Sequence, residues 1–137
     1  MYRYVIDTNV LVAGLRSSLG ASFALLREVG LRATPVLSVA LVLEYEAVLK
    51  RKAAGVPLKA AEVDALLDYW CSVGEARQVH FLWRPALKDP NDDFLLELAV
   101  ASGCDALVTH NLADFSVAGH YGVTVLTPSQ ALLQLNQ

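Results

Sequence analysis

Short runs of apolar residues, many of them β-branched, alternate along the chain with longer segments whose apolar residues recur every three or four positions. The short runs are typical of buried strands, and the longer segments predict helices. Strands are predicted over residues 2–6, 34–37, 79–83, 106–109 and 123–126. Helices are predicted over residues 22–29, 38–53, 59–73, 89–102 and 129–135, with a loop at 7–9.

The alternation of strands and helices predicts the fold class. Strands without polar positions are buried on both faces, as in a parallel sheet that helices cover on each side. No repeat, linker or low-complexity segment interrupts the chain, so we expect an α/β fold in a single domain over residues 1–137. Ligands of such sheets bind beyond the carboxyl ends of the strands. Polar residues at 7–9, at 109–111 with Asp114, and at the helix start Ser38 belong to that edge.

Composition excludes several classes of protein. Of the 137 residues, 55% are hydrophobic and 18% are charged, which favours a folded domain over a disordered chain. Charged residues interrupt every apolar stretch well before about 18 residues, so no transmembrane helix is predicted. Asp7 interrupts the first apolar run, against a signal peptide. Cys71 and Cys104 form neither a disulfide framework nor a metal-binding spacing, and a cytoplasmic location is expected.

Charge is unevenly distributed along the chain. The formal net charge is −3, yet all 11 Lys and Arg lie in residues 1–88 together with 8 of the 14 acids. Residues 89–137 contain 6 acids and no Lys or Arg. Such a split indicates a local reason to concentrate carboxylates, with chance drift as the alternative.

Glu44 is an unusual acid, because its neighbours on the predicted helix face are apolar. A buried ionised carboxylate costs several kcal/mol unless it is paired or bound to a metal ion. Glu44 is therefore either a metal ligand or a residue whose carboxylate reaches water or an Arg. Glu46 needs no such explanation, since Lys50 lies four residues on and can form a surface ion pair with it. The apolar neighbours of Glu44 are Ala40, Leu41, Ala47 and Val48.

Two acids of the helix predicted at 89–102, Asp93 and Glu97, lie four residues apart and share one face. Like charges at this spacing repel, and no Lys or Arg follows Lys88 in the sequence to relieve them from within the helix. A bound cation would relieve that repulsion. The alternative is that Asp92 and Asp93 only stabilise the positive end of the helix.

Four acids, Asp7, Glu44, Asp93 and Asp114, lie in segments that can meet at one edge of the sheet. Together in a small volume they would repel and raise one another's pKa values unless a cation bound between them. Ligands with only oxygen atoms suit Mg²⁺ or Mn²⁺. Taken singly, Asp7 and Asp114 are also ordinary residues of turns and loops. Zinc is disfavoured, because no ligand spacing links the histidines, which are His80, His110 and His120.

Three blocks of sequence, together with Glu44, match a known pattern. They are V-I-D-T-N-V-L at 5–11, D-P-N-D-D-F-L-L-E-L-A at 89–99, and L-V-T-H-N at 107–111 followed by D-F at 114–115. In this order and spacing the chain resembles the PIN-domain family of metal-dependent ribonucleases, especially the VapC-like toxins of bacterial toxin–antitoxin pairs. The resemblance spans nearly the whole chain.

The resemblance implies a fold, a cofactor and a reaction. It implies a three-layer α/β/α sandwich around a parallel sheet, Mg²⁺ or Mn²⁺ as cofactor, and hydrolysis of RNA phosphodiester bonds. By the family's pattern, Asp7, Glu44 and Asp93 are the core acids and Asp114 is the fourth. Asn111 stands where many members carry an aspartate, so the ligands of a second metal ion depart from that pattern.

Supporting roles and partners also follow from the resemblance. Residues that would orient ligands, water or phosphate are Thr8, Asn9, Asp92, Glu97, Thr109 and Asn111. The alternative for Thr8, Asn9, Thr109 and Asn111 is an ordinary residue of a turn or strand end. Candidates for contacts with RNA phosphates are the cluster Lys50, Arg51 and Lys52, and beyond it Arg16, Arg84 and Lys88. The alternative for that cluster is an ordinary solvated helix end. The implied partners are the RNA substrate and a cognate antitoxin, and the apolar composition allows a homodimer.

Two other functions compete with the ribonuclease. The first is a catalytically degenerate domain of the same fold that binds RNA or a protein partner, which the Asn111 departure favours. The second is a phosphatase with Asp7 as its nucleophile. That second function is disfavoured because Asn9 occupies the second acidic position of the Asp-x-Asp arrangement it would need.

Overall fold

The computed structural model describes residues 1–79 and 90–137, with side chains from residue 92 onward in the second range. Its strands are β1 (Tyr2–Ile6), β2 (Ala33–Leu37), β3 (Glu75–Ala76), β4 (Ala106–Val108) and β5 (Val125–Leu126). Its helices are α1 (Thr8–Arg16), α2 (Ala21–Leu26), α3 (Val39–Leu49), α4 (Ala60–Val73), α5 (Pro90–Ser102) and α6 (Pro128–Leu135). Short 3-10 turns lie at Lys52–Ala54, Leu112–Phe115 and Ala118–Tyr121.

The strands form one five-stranded parallel sheet in the order β3-β2-β1-β4-β5. The central strand β1 pairs with β2 and β4, so that Tyr4 lies between Pro35 and Ala106. Parallel neighbours need crossover connections. Helices α1 and α2 connect β1 to β2, α3 and α4 connect β2 to β3, and two 3-10 turns connect β4 to β5. The α/β class and the α/β/α arrangement are confirmed. The carboxyl ends of β1 and β4 lie side by side as a result, which sets the position of the candidate site.

The core lies between the sheet and its helices. Val5 and Ile6 of β1 are buried, and the ring of Tyr45 on α3 meets that of Trp70 on α4 edge to face, with centroids 5.7 Å apart. On α4 the apolar side chains of Val63, Leu67 and Trp70 are buried against this core, whereas Cys71 is exposed. Cys71 lies about 80° around the helix from Val63, at the margin of the apolar face.

The sequence interpretation was wrong at residues 7–9, where the loop is absent and α1 begins directly at Thr8. A glycine hides the periodicity of this helix, because Gly14 occupies a position where an apolar residue would be expected. A Cβ on Gly14 would lie 2.5 Å from Leu26 Cδ1 and 3.1 Å from the main-chain nitrogen of Phe23. The glycine therefore allows α2 to pack closely on α1.

Two further predictions need adjustment. The predicted helix over 38–53 ends at Leu49, after which a separate 3-10 turn follows and Gly55 adopts a positive φ of 66°. Of the strand predicted at 79–83, residues 80–83 lie outside the described residues. The strand that the structure describes in this region is β3. In the described ranges, no helix combines the length and apolar character that a bilayer crossing needs.

Candidate active site

Asp7 lies at the carboxyl end of β1, where hydrogen bonds hold it against β4. Its main-chain N–H donates to the Val108 oxygen at 2.9 Å. Its carboxylate accepts from the Thr109 hydroxyl at 2.8 Å and from Asn9 Nδ2 at 3.3 Å. Asp7 occupies the N-cap position of α1, but its side chain makes no capping hydrogen bond. The main-chain N–H groups of Asn9 and Thr8 still lie close enough to the carboxylate to lower its pKa.

Glu44 reaches the same region from α3. Ser38 caps this helix at the end of β2 by accepting from the Leu41 N–H at 3.2 Å. Glu44 lies six residues beyond this cap, about 9 Å along the axis. Its half-buried carboxylate accepts a hydrogen bond from the Thr8 hydroxyl at 2.5 Å. Thr8 is the first residue of α1 and directly follows Asp7. Its hydrogen bond therefore holds the Glu44 carboxylate next to the segment that carries Asp7.

The electrostatics of Asp7 and Glu44, here called the acidic pair, are unfavourable without a cation. Burial raises the pKa of Asp7, and the charge of Glu44 raises it further, whereas the hydrogen bond from Thr109 lowers it. Burial also raises the pKa of Tyr45 well above its usual value, with contributions from both carboxylates. Across residues 1–79 and 92–137, no Lys or Arg lies within ion-pairing distance of either acid. Two carboxylates in this setting are the donor set that a hard divalent cation prefers.

Asp93 lies in the first turn of α5. Its position in the fold follows from the contacts at the other end of that helix and from the length of the helix. The Arg3 guanidinium at the start of β1 donates to the main-chain oxygens of Ser102 and Gly103 at 2.7 and 3.1 Å. The 13 residues of α5 span about 18 Å, so its first turn reaches the opposite edge of the sheet. Asp93 and Glu97 are both buried, at 8% and 6% exposure. Asp92 beside them is half-buried.

Asp114 and Asn111 follow β4 and lie on the exposed surface of the same edge. The Asn111 N–H donates to the Thr109 hydroxyl at 3.1 Å, which links this segment to Asp7. Asp114 lies in the 3-10 turn Leu112–Phe115, which contacts α5. Asp114 is exposed, so it lies at the margin of the site rather than in its interior.

The predicted site residues therefore come together to different degrees. Hydrogen bonds and charge interactions connect Asp7, Thr8, Asn9, Glu44, Thr109 and Asn111. Asp93 and Asp114 share the edge, yet within the described part of the chain no three Asp, Glu, His or Cys side chains are close enough to hold an ion alone. Mg²⁺ is often held by one or two carboxylates plus water and substrate phosphates, so the acidic pair fits such an ion.

The predicted basic cluster is divided by its ion pairs. Lys50 contacts the carboxylates of Glu46 at 3.0 Å and of Asp64 at 2.7 Å, and the Glu46 pair confirms the i,i+4 expectation. Arg51 and Lys52 are exposed, with no acid of the described chain within ion-pairing distance. The further candidates Arg84 and Lys88 lie outside the described residues.

Sequence reasoning missed one polar contact of this edge. The hydroxyl of Ser22 on α2 lies 2.7 Å from His110 Nε2, directly after Thr109. Ser22 and His110 are 88 residues apart, and neither belongs to a spacing that indicates a paired role. Only the closure of α2 on α1 brings them together, so no sequence signal could have found the pair.

Comparison with known families settles the family of the chain. Residues 3–113 match the sequence pattern of the PIN domain. The chain belongs to the PIN-domain family. PIN domains are generally nucleases that typically use divalent metal ions. The matched range contains Asp7, Glu44, Asp93 and Asn111, and it ends one residue before Asp114.

A solved structure supports the fold of this PIN domain. The chain is similar to one in the crystal structure of VapBC2 from Rickettsia felis bound to a DNA fragment from their promoter. The TM-score is 0.60 at 18% sequence identity, and the match covers 91% of this chain and 98% of that chain. No curated protein sequence matched the chain.

Proposed function

We propose that this PIN domain is a metal-dependent endoribonuclease that hydrolyses RNA phosphodiester bonds with Mg²⁺ or Mn²⁺. One observation carries the proposal. The acidic pair joins two carboxylates at the carboxyl edge of the sheet, in a setting that raises the pKa of Asp7 and offers no Lys or Arg among the described residues. Folding alone gives no reason for such an arrangement, whereas binding of a divalent cation does.

In this proposal the role of each residue follows from its position at the site. Asp7, Glu44, Asp93 and Asp114 would hold Mg²⁺ or Mn²⁺, which when bound acidifies a water molecule and stabilises the leaving oxygen. Thr109 and Asn9 orient the Asp7 carboxylate through hydrogen bonds. Thr8 orients that of Glu44. Residues proposed to assist at the margin of the site are Asp92, Glu97 and Asn111.

The RNA backbone would meet the basic residues beyond the far end of α3. Arg51 and Lys52 are exposed there, and the guanidinium of Arg16 lies against Gly55, with Nε 3.5 Å from a Cβ built on that glycine. From Glu44 to the end of α3 is about 8 Å along the axis, a distance that one or two nucleotides can span. Lys50 contributes less, because Glu46 and Asp64 already neutralise its charge.

A toxin role with a protein antitoxin is the second part of the proposal. The solved relative is named as VapBC2, an assembly bound to promoter DNA. On this chain a groove of about 810 Å³ runs between α3, β3 and α5, and it is lined mainly by apolar residues. Val39 and Leu43 of that lining are 78% and 58% exposed. An apolar segment of a protein antitoxin would cover this surface.

A catalytically degenerate domain that binds RNA or a protein is the competing function. Asn111 in place of an acid, and the exposed position of Asp114, favour it because they leave fewer ligands for a second ion. The two functions differ in one property, since only the nuclease requires Mg²⁺ or Mn²⁺ for its effect on RNA.

The experiment is a cleavage assay on mixed RNAs with Mg²⁺, with Mn²⁺ and with EDTA. We expect cleavage that EDTA abolishes and that Asp93→Asn reduces by about 100-fold or more, since even residues that only orient metal ligands cost 10–100-fold. Asp68→Asn is the matched control, because Asp68 is an exposed residue of α4, a helix that carries none of the proposed site residues. Full cleavage by Asp93→Asn would remove Asp93 from the site. RNA binding without cleavage or metal binding would favour the degenerate domain.

A further inference from the structure

The Ser22–His110 contact joins a helix without any proposed site residue to the edge that carries the acidic pair. Ser22 lies in the first turn of α2 and is buried at 5% exposure. Its hydroxyl lies 2.7 Å from His110 Nε2, whereas the His110 residue as a whole is exposed. A buried hydroxyl thus holds one end of an imidazole whose main chain belongs to the segment after β4.

The main chain of His110 holds the Asn9 side chain in one orientation. The His110 N–H donates to Asn9 Oδ1 at 3.4 Å. Because the amide oxygen accepts this bond, the amide nitrogen faces the other way, toward Asp7 Oδ2 at 3.3 Å and Thr109 Oγ1 at 3.4 Å. The reversed amide would bring an oxygen against the Asp7 carboxylate and an N–H against an N–H, and both contacts are repulsive.

The position of Ser22 is fixed relative to α1, the helix that carries Asn9. Gly14 of α1 allows α2 to approach so closely that a Cβ there would lie 3.1 Å from the carbonyl carbon of Ser22 and the nitrogen of Phe23. Ser22 is therefore a fixed point for the segment that begins at His110.

We infer that Ser22 and His110 form a positioning pair, which holds the segment after β4 so that the His110 N–H directs the Asn9 amide toward Asp7. The inference rests on the proposed function, because the orientation of Asp7 matters for catalysis only if Asp7 holds the metal ion.

The experiment follows the Asn9 side-chain amide by ¹H–¹⁵N NMR in metal-free protein, and Mn²⁺ affinity by calorimetry. Ser22→Ala removes the hydroxyl that holds the imidazole but keeps the ring of His110, so changes in the ring current at the Asn9 amide stay small. We expect the Asn9 amide resonances to shift and Mn²⁺ affinity to fall by up to about tenfold, the lower bound for groups that orient metal ligands. His120→Ala is the matched control, because His120 is also an exposed histidine, on the 3-10 turn Ala118–Tyr121.

Two variants of the exposed His110 keep the test decisive if Ser22→Ala folds poorly. His110→Gln places an amide near the former Nε2 and is expected to retain most of the affinity, whereas His110→Ala loses it. The double variant Ser22→Ala with His110→Ala should be no worse than either single one. Unchanged Asn9 resonances and Mn²⁺ affinity in Ser22→Ala would overturn the inference. The NMR readout needs neither metal nor RNA, so it decides the inference even if the wild-type protein proves not to be a nuclease.

Discussion

Two groups of charged side chains lie against the same sheet and are built in opposite ways. In the Arg3 network, Arg3 donates to both carboxylate oxygens of Glu75, at 2.9 and 2.5 Å, and Arg77 donates to Glu75 at 2.9 Å. In the acidic pair, Asp7 and Glu44 repel each other, and only neutral donors reach them among the described residues. The first group pairs charges of opposite sign, and the second concentrates charge of one sign.

The pKa values reflect this difference. Hydrogen bonding to Arg3 lowers the pKa of Glu75 to about 2, whereas burial raises the pKa of Asp7. The Arg3 network therefore stabilises the fold with its charges in place, and the acidic pair is tolerated at a cost in stability. Groups that destabilise a fold while sitting at a ligand-binding edge are typical of functional sites.

Asp7→Asn should give the largest effect and change activity and stability in opposite directions. We expect metal-dependent RNA cleavage to fall by about 100-fold or more, as for Asp93→Asn. In metal-free protein we expect the free energy of unfolding to rise by about 1 kcal/mol, since a buried charge and its repulsion are removed. Urea unfolding and the cleavage assay measure the two quantities. A variant that loses both activity and stability would show that Asp7 is a structural residue.

Arg3→Met should do the reverse, because the Arg3 network is structural. Removing the guanidinium takes away one of the two arginine partners of Glu75 and the donor to two main-chain oxygens, and we expect the free energy of unfolding to fall by about 2 kcal/mol. Cleavage per folded molecule should stay unchanged. Arg27→Met is the matched control, because Arg27 is exposed and its guanidinium lies over the Phe23 ring, 5.9 Å from the ring centroid. If Arg3→Met folded fully but lost cleavage, the Arg3 network would also be needed for the function of the acidic pair.

The pH dependence of stability should separate the two groups by sign. Glu75 has a lowered pKa, so its stabilisation is complete above its ordinary value of 4.5 and is lost as the pH falls toward about 2. Asp7 has a raised pKa, so the destabilisation by its charge disappears on acidification. Relative to the wild type, Glu75→Gln should be less stable and Asp7→Asn more stable at pH 7. Urea unfolding of both variants from pH 7 to pH 3 should show both differences shrinking; a constant difference would contradict the assignment.

The sequence was sufficient for most of the fold and for the segments that form the candidate site, and particular residues show why. Strands β1, β2, β4 and β5 belong to local apolar runs, so their approximate positions could be read directly, whereas β3 at Glu75–Ala76 has no such run and was not predicted. Glu44 stood out because its predicted helix face is apolar. The helix α1 was missed because Gly14 interrupts its pattern. Partners brought together by the fold were invisible: Asp64 beside Lys50, and Ser22 beside His110. Local patterns predict elements, but contacts between distant segments need the packed structure.

The smallest expected effect concerns the salt dependence of RNA affinity. It compares Lys50, which has acidic partners, with the exposed Arg51 and Lys52. Each phosphate contact to single-stranded RNA contributes about 0.7 to the slope of log affinity against log salt concentration. Arg51→Ala and Lys52→Ala should each reduce the slope by about this amount, measured by fluorescence anisotropy. Lys50→Ala is the internal control, and its change should be smaller because Glu46 and Asp64 already compensate that charge. Equal changes of the slope in all three variants would mean that RNA displaces the acidic partners of Lys50. Lys50 would then bind RNA as Arg51 and Lys52 do, and its ion pairs would make no difference to RNA binding.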